Sequence, residues 1–558
     1  MAASLLRGIG LPKGLLPAIA LGVLVCLLAT AATGSRTGRG KPGGAREPMA
    51  SALGQSDPTL IAIDRLLAGR VAAAGVASGT PADDLTVMRR MWLALAGTIP
   101  SLEEIRRFEA DTAPGRVDRA FAGLLADRRS ADGVARRLAV PLVGNENGQF
   151  IVFRRDRFVA WLADQVHANR PWDDIVRAMV AARGLWTDTP AVNFVTQAAA
   201  DGVIDVDKLA GRVSRVFLGA RIDCAQCHDH PFATWKQAEF EGLAACFAQA
   251  SLSPAGVVDD VRRVHRIDST SVAAVATPMA GGGRNVPPRV PFGAEWYASG
   301  GTHRENFAAW IVHPGNRRFD RAIANRAWGI LFGKAWIEPV DDLPDPPGEA
   351  SGDDLLDLLA RDFVEHGRDL RRLFTLIAST TAFRQASTHP LLDSAADCDR
   401  VAEVWAAFPL TRLGPDQMIG AMVATTSLES IDRDSHLLTR TIRFFRENDF
   451  VREYGQVQDS QGQSLPATIP QSLVQMNGKL AREMVEANAV TASGRIAGMA
   501  RDDDARLELA FLVALTRRPT AAEREALLPL LSEAATKGRG IEDLMWTLTN
   551  GPEFCWNH

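Results

Sequence analysis

The sequence predicts a mainly α-helical protein, with two helical domains joined by a partly extended linker that holds a few short strands. Three observations carry that expectation. Apolar residues recur at helical spacing between capping signals over 58–252, the pattern dissolves into β-branched and Gly/Pro-rich runs over 253–302, and helical periodicity returns over 303–558.

In the first region, Thr80-Pro81 predicts a helix start, with a capping hydroxyl and a proline at the first helical position. Leu85, Met88, Trp92 and Leu95 then follow one helical face, and Gly97 supplies the stop. Ser101 with Glu104 spells a capping box for the next helix. Pro171 opens another, whose Trp172, Ile175, Val176, Met179 and Val180 form an apolar stripe that reads as packed core rather than as a cofactor contact. In the linker, Val257-Val258 and Thr270 to Val275 read as strands, broken by Gly281-Gly282-Gly283 and Pro287-Pro288. Beyond it, Phe307, Trp310, Ile323, Trp328, Leu331, Leu355 and Phe363 restore the helical period. Near the end, Thr520 and Glu523 form a further capping box before Leu527, Leu528 and Leu531.

At about 150 residues per domain, 558 residues leave room for several domains that each bury a core without disulfide staples. A hydrophobic fraction of 46% excludes a disordered chain, and 62 basic against 66 acidic residues give no general attraction to nucleic acid. At the N-terminus, Arg7 and Lys13 precede an apolar run from Leu15 to Ala32, and Ala29-Thr30-Ala31 offers small residues to a signal peptidase. Residues 1–33 therefore read as a signal peptide or an N-terminal membrane anchor, and 34–57 as a flexible linker. The expected location is the periplasm or the membrane-anchored cell envelope. A lipoprotein reading fails at Cys26, because Val25 stands where lipid attachment wants a small residue.

The chemistry concentrates in Arg221-Ile-Asp-Cys224-Ala-Gln-Cys227-His228-Asp229-His230-Pro231-Phe232, which contains CxxCH. The chain has 6 Cys and 10 His, so chance yields on the order of 10⁻³ such matches. Two cysteines at this spacing can each form a thioether to one vinyl group of a haem, with the following histidine as axial iron ligand. On this reading Cys224 and Cys227 hold haem c and His228 is the proximal ligand. Met476, Met279, His265 and His303 are open candidates for the distal position, and His230 is a supporting group beside the iron ligand. Zinc is an alternative, with Cys224, Cys227, His230 and Cys246 as a tetrahedral set. A CxxC disulfide is another, with the histidines in structural hydrogen bonds and no cofactor. Haem leads because neither alternative requires His228 to follow the second cysteine.

The stretch LGARIDCAQCHDHPFATWKQAEFEGLAACFAQA (Leu218 to Ala250), with MRRMWLALAGTIPSLEEIRRF (Met88 to Phe108), resembles the planctomycete cytochrome-associated domain of unknown function 1549. His303 to Leu343 resembles its usual partner, domain of unknown function 1553, and Ile469 to Leu480 and Trp546 to His558 fit the same partner. The resemblance implies an exported envelope protein without a settled activity, in a family whose members often carry a separate cytochrome c domain. This chain has a single CxxCH inside the first region, so electron transfer would require an envelope redox partner or cytochrome. Membrane attachment would run through the N-terminus. Cys246 also stands where the family block has an aromatic residue.

No catalytic residue is assigned: there is no Walker loop, no dinucleotide fingerprint after a strand, no HExxH and no GxSxG elbow. Glu338 with Asp341-Asp342, and Asp353-Asp354, read as solvated charged loops, and Arg304 and Glu305 as surface ion pairs. Cys398 and Cys555 are open between a disulfide and two separate buried thiols.

Overall fold

The computed structural model describes residues 57–145, 153–267, 283–346, 354–392, 395–430 and, apart from 475, 477 and 490, 473–558. The N-terminal apolar run, the Thr270 to Val275 strand and Met279 lie outside the described residues.

The first region is a succession of helices: α1 (Pro58–Ala73), α2 (Asp84–Leu95), α3 (Leu102–Ala110), α4 (Arg116–Ala126), α5 (Arg128–Val143), α6 (Arg155–His167), α7 (Trp172–Val180), α8 (Val206–Phe217) and α9 (Gln237–Ala245). Antiparallel hairpins interrupt and follow them: β1–β2 (Ala199–Ala200, Val203–Ile204), β3–β4 (Ala250–Ser253, Gly256–Asp259) and β5–β6 (His265–Ile267, Arg284–Val286). Then come α10 (His303–Ile311), α11 (Arg317–Phe332), α12 (Leu355–Glu365), α13 (Leu370–Ser379) and α14 (Ala395–Glu403). The chain closes with α15 (Pro415–Ala424), α16 (Lys479–Val485), α17 (Ala492–Met499), α18 (Asp503–Leu515), α19 (Ala521–Ser532) and α20 (Lys537–Asn550). A last antiparallel pair joins β7 (Thr411–Arg412) to β8 (Trp556–Asn557). The protein is mainly helical, with only short two-stranded sheets among the described residues.

Local signals explain most of these boundaries. The capping boxes at Ser101/Glu104 and Thr520/Glu523 are formed, and Thr302 with Glu305 makes another at the start of α10. The stripe of Trp172, Ile175, Val176, Met179 and Val180 is buried, with Pro171 as the cap. One start differs from expectation. The cap of α2 is Asp83, whose carboxylate accepts from the amides of Leu85 and Thr86 at 3.0 Å each. The Thr80 carbonyl instead accepts from Ala386 N at 2.7 Å and Pro81 bridges to Gln385, so that dipeptide ties down a distant loop.

The two predicted halves share one hydrophobic core. It runs from Leu60 through Phe194, Phe217 and Phe247 to Phe307, Phe319, Trp328 and Phe374. Rings from the two halves meet edge-on at Phe247–Phe307 (5.5 Å) and tilted at Phe217–Phe319 (6.3 Å). A second core gathers α15 to α20 and takes Leu93 from α2 and Ile99 beyond it, so the two cores meet at α2.

Buried charge marks these joints. Arg89 and Arg90 of α2 are both fully buried. Arg89 donates to the carbonyls of Ala514 (3.1 Å) and Phe554 (3.5 Å). Arg90 lies 3.7 Å above the Phe408 ring and donates to Phe383 O (2.9 Å), Gln385 O (2.6 Å) and His558 O (2.7 Å). Arg304, expected at the surface, is also fully buried: it grips both oxygens of Asp259 at 2.7 and 2.8 Å and donates to Val180 O and Ala182 O. Its neighbour Glu305 stays half-exposed and pairs with Arg183. Of the expected solvated acids, Glu338 and Asp342 are exposed, whereas Asp341 is buried against Arg221. Asp354 caps α12 and pairs with Arg321. No disulfide joins Cys398 to Cys555; their sulfurs donate to Leu392 O and Gly551 O.

Arg90→Lys keeps the charge but loses the planar fork that serves three carbonyls, so a destabilisation of about 3 kcal/mol is expected from urea unfolding. A change below about 0.5 kcal/mol, the scale of an ordinary surface substitution, would contradict the role given to the fork. A pH effect follows from Arg517, which donates to Glu523 Oε1 (2.7 Å) and Glu553 Oε2 (2.6 Å). Its hydrogen bond pulls Glu523 down to about 2. Burial pushes Glu553 up, but Arg517 and His558 outweigh it and bring that carboxyl to about 2 as well. Both are depressed from 4.5, so their contribution is complete above that value and fades as pH falls toward 2. The stability gap between the wild type and Arg517→Met should therefore narrow through that window, and a gap independent of pH there would contradict the assignment.

Candidate functional site

The Cys/His segment hangs between α8 and α9, and its placement begins with the surface of α8. Asp207, Gly211 and Arg215 recur at i, i+4 and i+8, which aligns them along one face of the helix. The loop lies along that line. Asp223 pairs with Arg215, and its Oδ1 lies close over Gly211, where a Cβ would come within 2.7 Å. Gln226, between the two cysteines, donates its amide to Asp207 Oδ2 at 3.3 Å. Burial holds the Asp207 carboxyl above its usual range, against the opposing effects of His265 and the Gln226 amide.

A short 3-10 turn, Asp223–Gln226, buries only Ala225 and leaves Cys224 exposed, with Cys227 and His228 exposed after it. The return of the loop is equally tied. Asp229 accepts from Gln237 N at 3.0 Å and from Lys236 Nζ at 3.1 Å, and these two contacts hold its carboxyl below the usual range. His230 N donates to Trp235 O at 2.9 Å.

The two histidines differ in tautomer. His228 Nδ1 lies 2.7 Å from the Asp229 carbonyl, which can only accept, so Nδ1 carries the proton and Nε2 keeps its lone pair. No partner among the described residues takes that lone pair. His230 is reversed: its Nδ1 accepts from the amides of Phe232 (3.2 Å) and Ala233 (2.9 Å), which occupies its acceptor in shaping the turn. In the neutral ring His228 thus keeps a free nitrogen, whereas the acceptor of His230 is engaged in the turn.

Cys246 stands apart from the loop thiols. It ends α9 fully buried, its sulfur donates to Gly242 O at 3.4 Å, and burial pushes the thiol up to about 12. Cys224, Cys227, His230 and Cys246 do not gather into a set able to hold a metal ion, nor does any other trio of His, Cys, Asp or Glu among the described residues. Cys246 instead packs in the hydrophobic core.

Of the distal candidates that are described, His265 is the one the fold brings toward the loop, within electrostatic reach of Asp207. His303 starts α10 near Asp259, and Met476 lies beside Trp546, whose indole donates to its carbonyl at 3.4 Å. The line of Asp207, Gly211 and Arg215 was missed by sequence reasoning, although its spacing just upstream of the motif was a readable signal.

Comparison with known families matches residues 62–251 to PSCyt2, a protein of unknown function (DUF1549), and residues 303–531 to PSD1, a protein of unknown function (DUF1553). The chain thus carries a DUF1549 domain followed by a DUF1553 domain. The Cys/His loop lies in the DUF1549 region, and the terminal EFCWNH stretch falls beyond the end of the DUF1553 match. No curated protein and no solved structure matches the chain.

Native-state alkylation checks the placement of the thiols. Iodoacetamide near neutral pH is expected to modify Cys224 and Cys227 rapidly, while Cys246 reacts only after unfolding. Equal labelling of Cys246 in the folded protein would show that α9 is not packed as described.

Proposed function

We propose that this protein is an exported, cell-envelope redox protein whose Cys224–His228 loop takes a covalently attached haem c. The observation that supports this most directly is the outward presentation of both loop thiols beside a histidine whose Nε2 alone keeps a free lone pair. Thioether formation requires thiols that a maturation apparatus can reach, and iron ligation requires the unprotonated ring nitrogen. The residues fit that group. Cys224 and Cys227 would hold it, His228 would ligate through Nε2, and Asp229 O would fix the ring through its bond to Nδ1. When bound, the haem supplies one-electron transfer.

The N-terminal apolar run supports export, with periplasmic release or membrane anchoring as its two outcomes. A single attachment motif calls for an external envelope cytochrome or redox protein to deliver or accept the electron. Nothing in the charge balance favours nucleic acid.

Periplasmic expression with a cytochrome c maturation system checks the proposal. The purified chain should show a Soret band and retain haem after denaturation, and Cys224→Ser with Cys227→Ser should abolish both. His228→Ala should alter the axial-ligand spectrum, whereas His230→Ala should leave it in place. A chain without a Soret band that carries zinc, or a Cys224–Cys227 disulfide, would overturn it in favour of a structural site in an envelope scaffold.

A further inference from the structure

Both ends of the Cys/His loop are gripped by residues of the DUF1553 region. At the upstream end, α8 stops at Leu218 and the chain turns at Gly219, whose φ is +57°. Leu343 packs into that turn: its amide donates to Gly219 O at 2.7 Å, and its side chain lies where a Cβ on Gly219 would come within 2.8 Å. Two residues on, Arg221 Nε donates to the buried Asp341 Oδ1 at 2.7 Å. Asp341 is also the attractive charge facing the enclosed Arg326. Arg318 of α11 reaches the same turn, with Nη1 at 3.5 Å from Leu218 O, and its guanidinium lies 5.5 Å from the ring centroid of Trp235. Trp235 is the downstream end, since its carbonyl receives His230 N.

These contacts share a chemical logic. Arg221 is separated from Cys224 only by Ile222 and Asp223, and Ile222 is fully buried, so a shift of Arg221 passes directly into the short turn that carries the first thiol. Arg221 Nη2 is itself buried with no hydrogen-bond partner among the described residues, so the Asp341 contact is what compensates this guanidinium. On the other side, the Arg318 cation over Trp235 holds the segment whose carbonyl receives His230 N.

We infer that Asp341 and Arg318 are positioning residues of the Cys224–His228 loop, so that the DUF1553 region sets the geometry and reactivity of the thiols in the DUF1549 region. Neither residue touches the thiols; Asp341 acts on the upstream end through Arg221, and Arg318 acts on both ends through Leu218 and Trp235. The inference deepens the redox reading of this site, but its test is made on the haem-free protein and so does not depend on haem loading.

The experiment uses the full chain expressed without haem maturation and measures the rates of Cys224 and Cys227 alkylation at one fixed pH, read peptide by peptide, alongside the thermal midpoint. Asp341→Asn retains an oxygen that can accept from Arg221 but removes the charge, and Arg318→Lys keeps a charge but loses the guanidinium that reaches both Leu218 O and the Trp235 ring. Each is expected to change the alkylation rate of at least one loop thiol about threefold or more, because thiol reactivity follows access and local environment. Leu544→Ala, in the second core, serves as a control that lowers the thermal midpoint without touching the loop. It is expected to leave both rates at the wild-type value. If Asp341→Asn does not fold, Arg318→Lys reads the same grip through Leu218 and Trp235. Wild-type rates in both folded variants, or an equal change in Leu544→Ala, would overturn the inference. A wild-type chain that takes up no haem during maturation would refute the redox reading and leave this result intact.

Discussion

The structure depends on guanidinium groups buried against backbone carbonyls far away in sequence. Helix ends leave carbonyls without intrahelical partners, and where several ends converge away from water something must donate to them. Arginine suits the task, with five donors on a planar fork and a charge that survives burial. Burial draws Arg89 down only to about 10 and Arg90 to about 9, so both stay cationic at neutral pH. Side by side on α2, both reach the C-terminal stretch, Arg89 also binding the end of α18 and Arg90 the carbonyls of Phe383 and Gln385. Desolvating each ion costs several kcal/mol, while each charged hydrogen bond returns about 1.5–3 kcal/mol, so the net stabilisation is modest. The larger consequence is geometric. A shifted α2 would leave a buried cation without its carbonyls.

That constraint explains why two family domains form one body. Arg372 of α13 donates to Asp57, the cap of α1, and to Asp362 of α12, so the first helix of the chain is fastened to the second half. Arg304 of α10 holds Asp259 of the β3–β4 hairpin and the carbonyls that end α7. Arg368 grips Asp320 and also donates to Val312 O. With polar joints fixed in this way, the apolar faces around Phe247, Phe307, Phe217 and Phe319 have no free surface left and merge into a common core. The described strands between the family regions, β3–β4 and β5–β6, are paired, and β4 is held by Arg304.

The sequence was most informative where structure is local. Capping boxes depend on side chains three residues apart, and the ones read at Ser101 and Thr520 are formed. The α7 stripe is buried because a 3.6-residue period needs no knowledge of its partner. Reading failed where a distant partner decides. Thr80-Pro81 carries a helix-start signal, but Ala386 and Gln385 claim it and Asp83 caps the helix instead. Arg304 and Asp341 look like surface charges in a one-dimensional string, since nothing near them announces Asp259 or Arg221. At the site, the CxxCH motif itself was legible. The tautomers of the two histidines were not, because they follow from which backbone groups the turn points at each ring.

The same division accounts for the character of the Cys/His loop. A group that must be reached by an external chemistry cannot be held by burying it, so its order has to come from its ends and from the surface beneath it. Here α8 supplies the surface, with Asp207, Gly211 and Arg215 in register under Gln226 and Asp223. Asp229 and His230 close the return through backbone amides, which cost little conformational entropy because those amides are already fixed at the start of α9 and in the turn. Cys224, Cys227 and His228 are then the loop residues whose reactive atoms are given no structural work. Phe232, 95% exposed at the tip, adds apolar surface that the chain itself leaves uncovered. A loop built this way is fixed in backbone and open in chemistry, which is the condition a covalently loaded or partner-facing site has to meet.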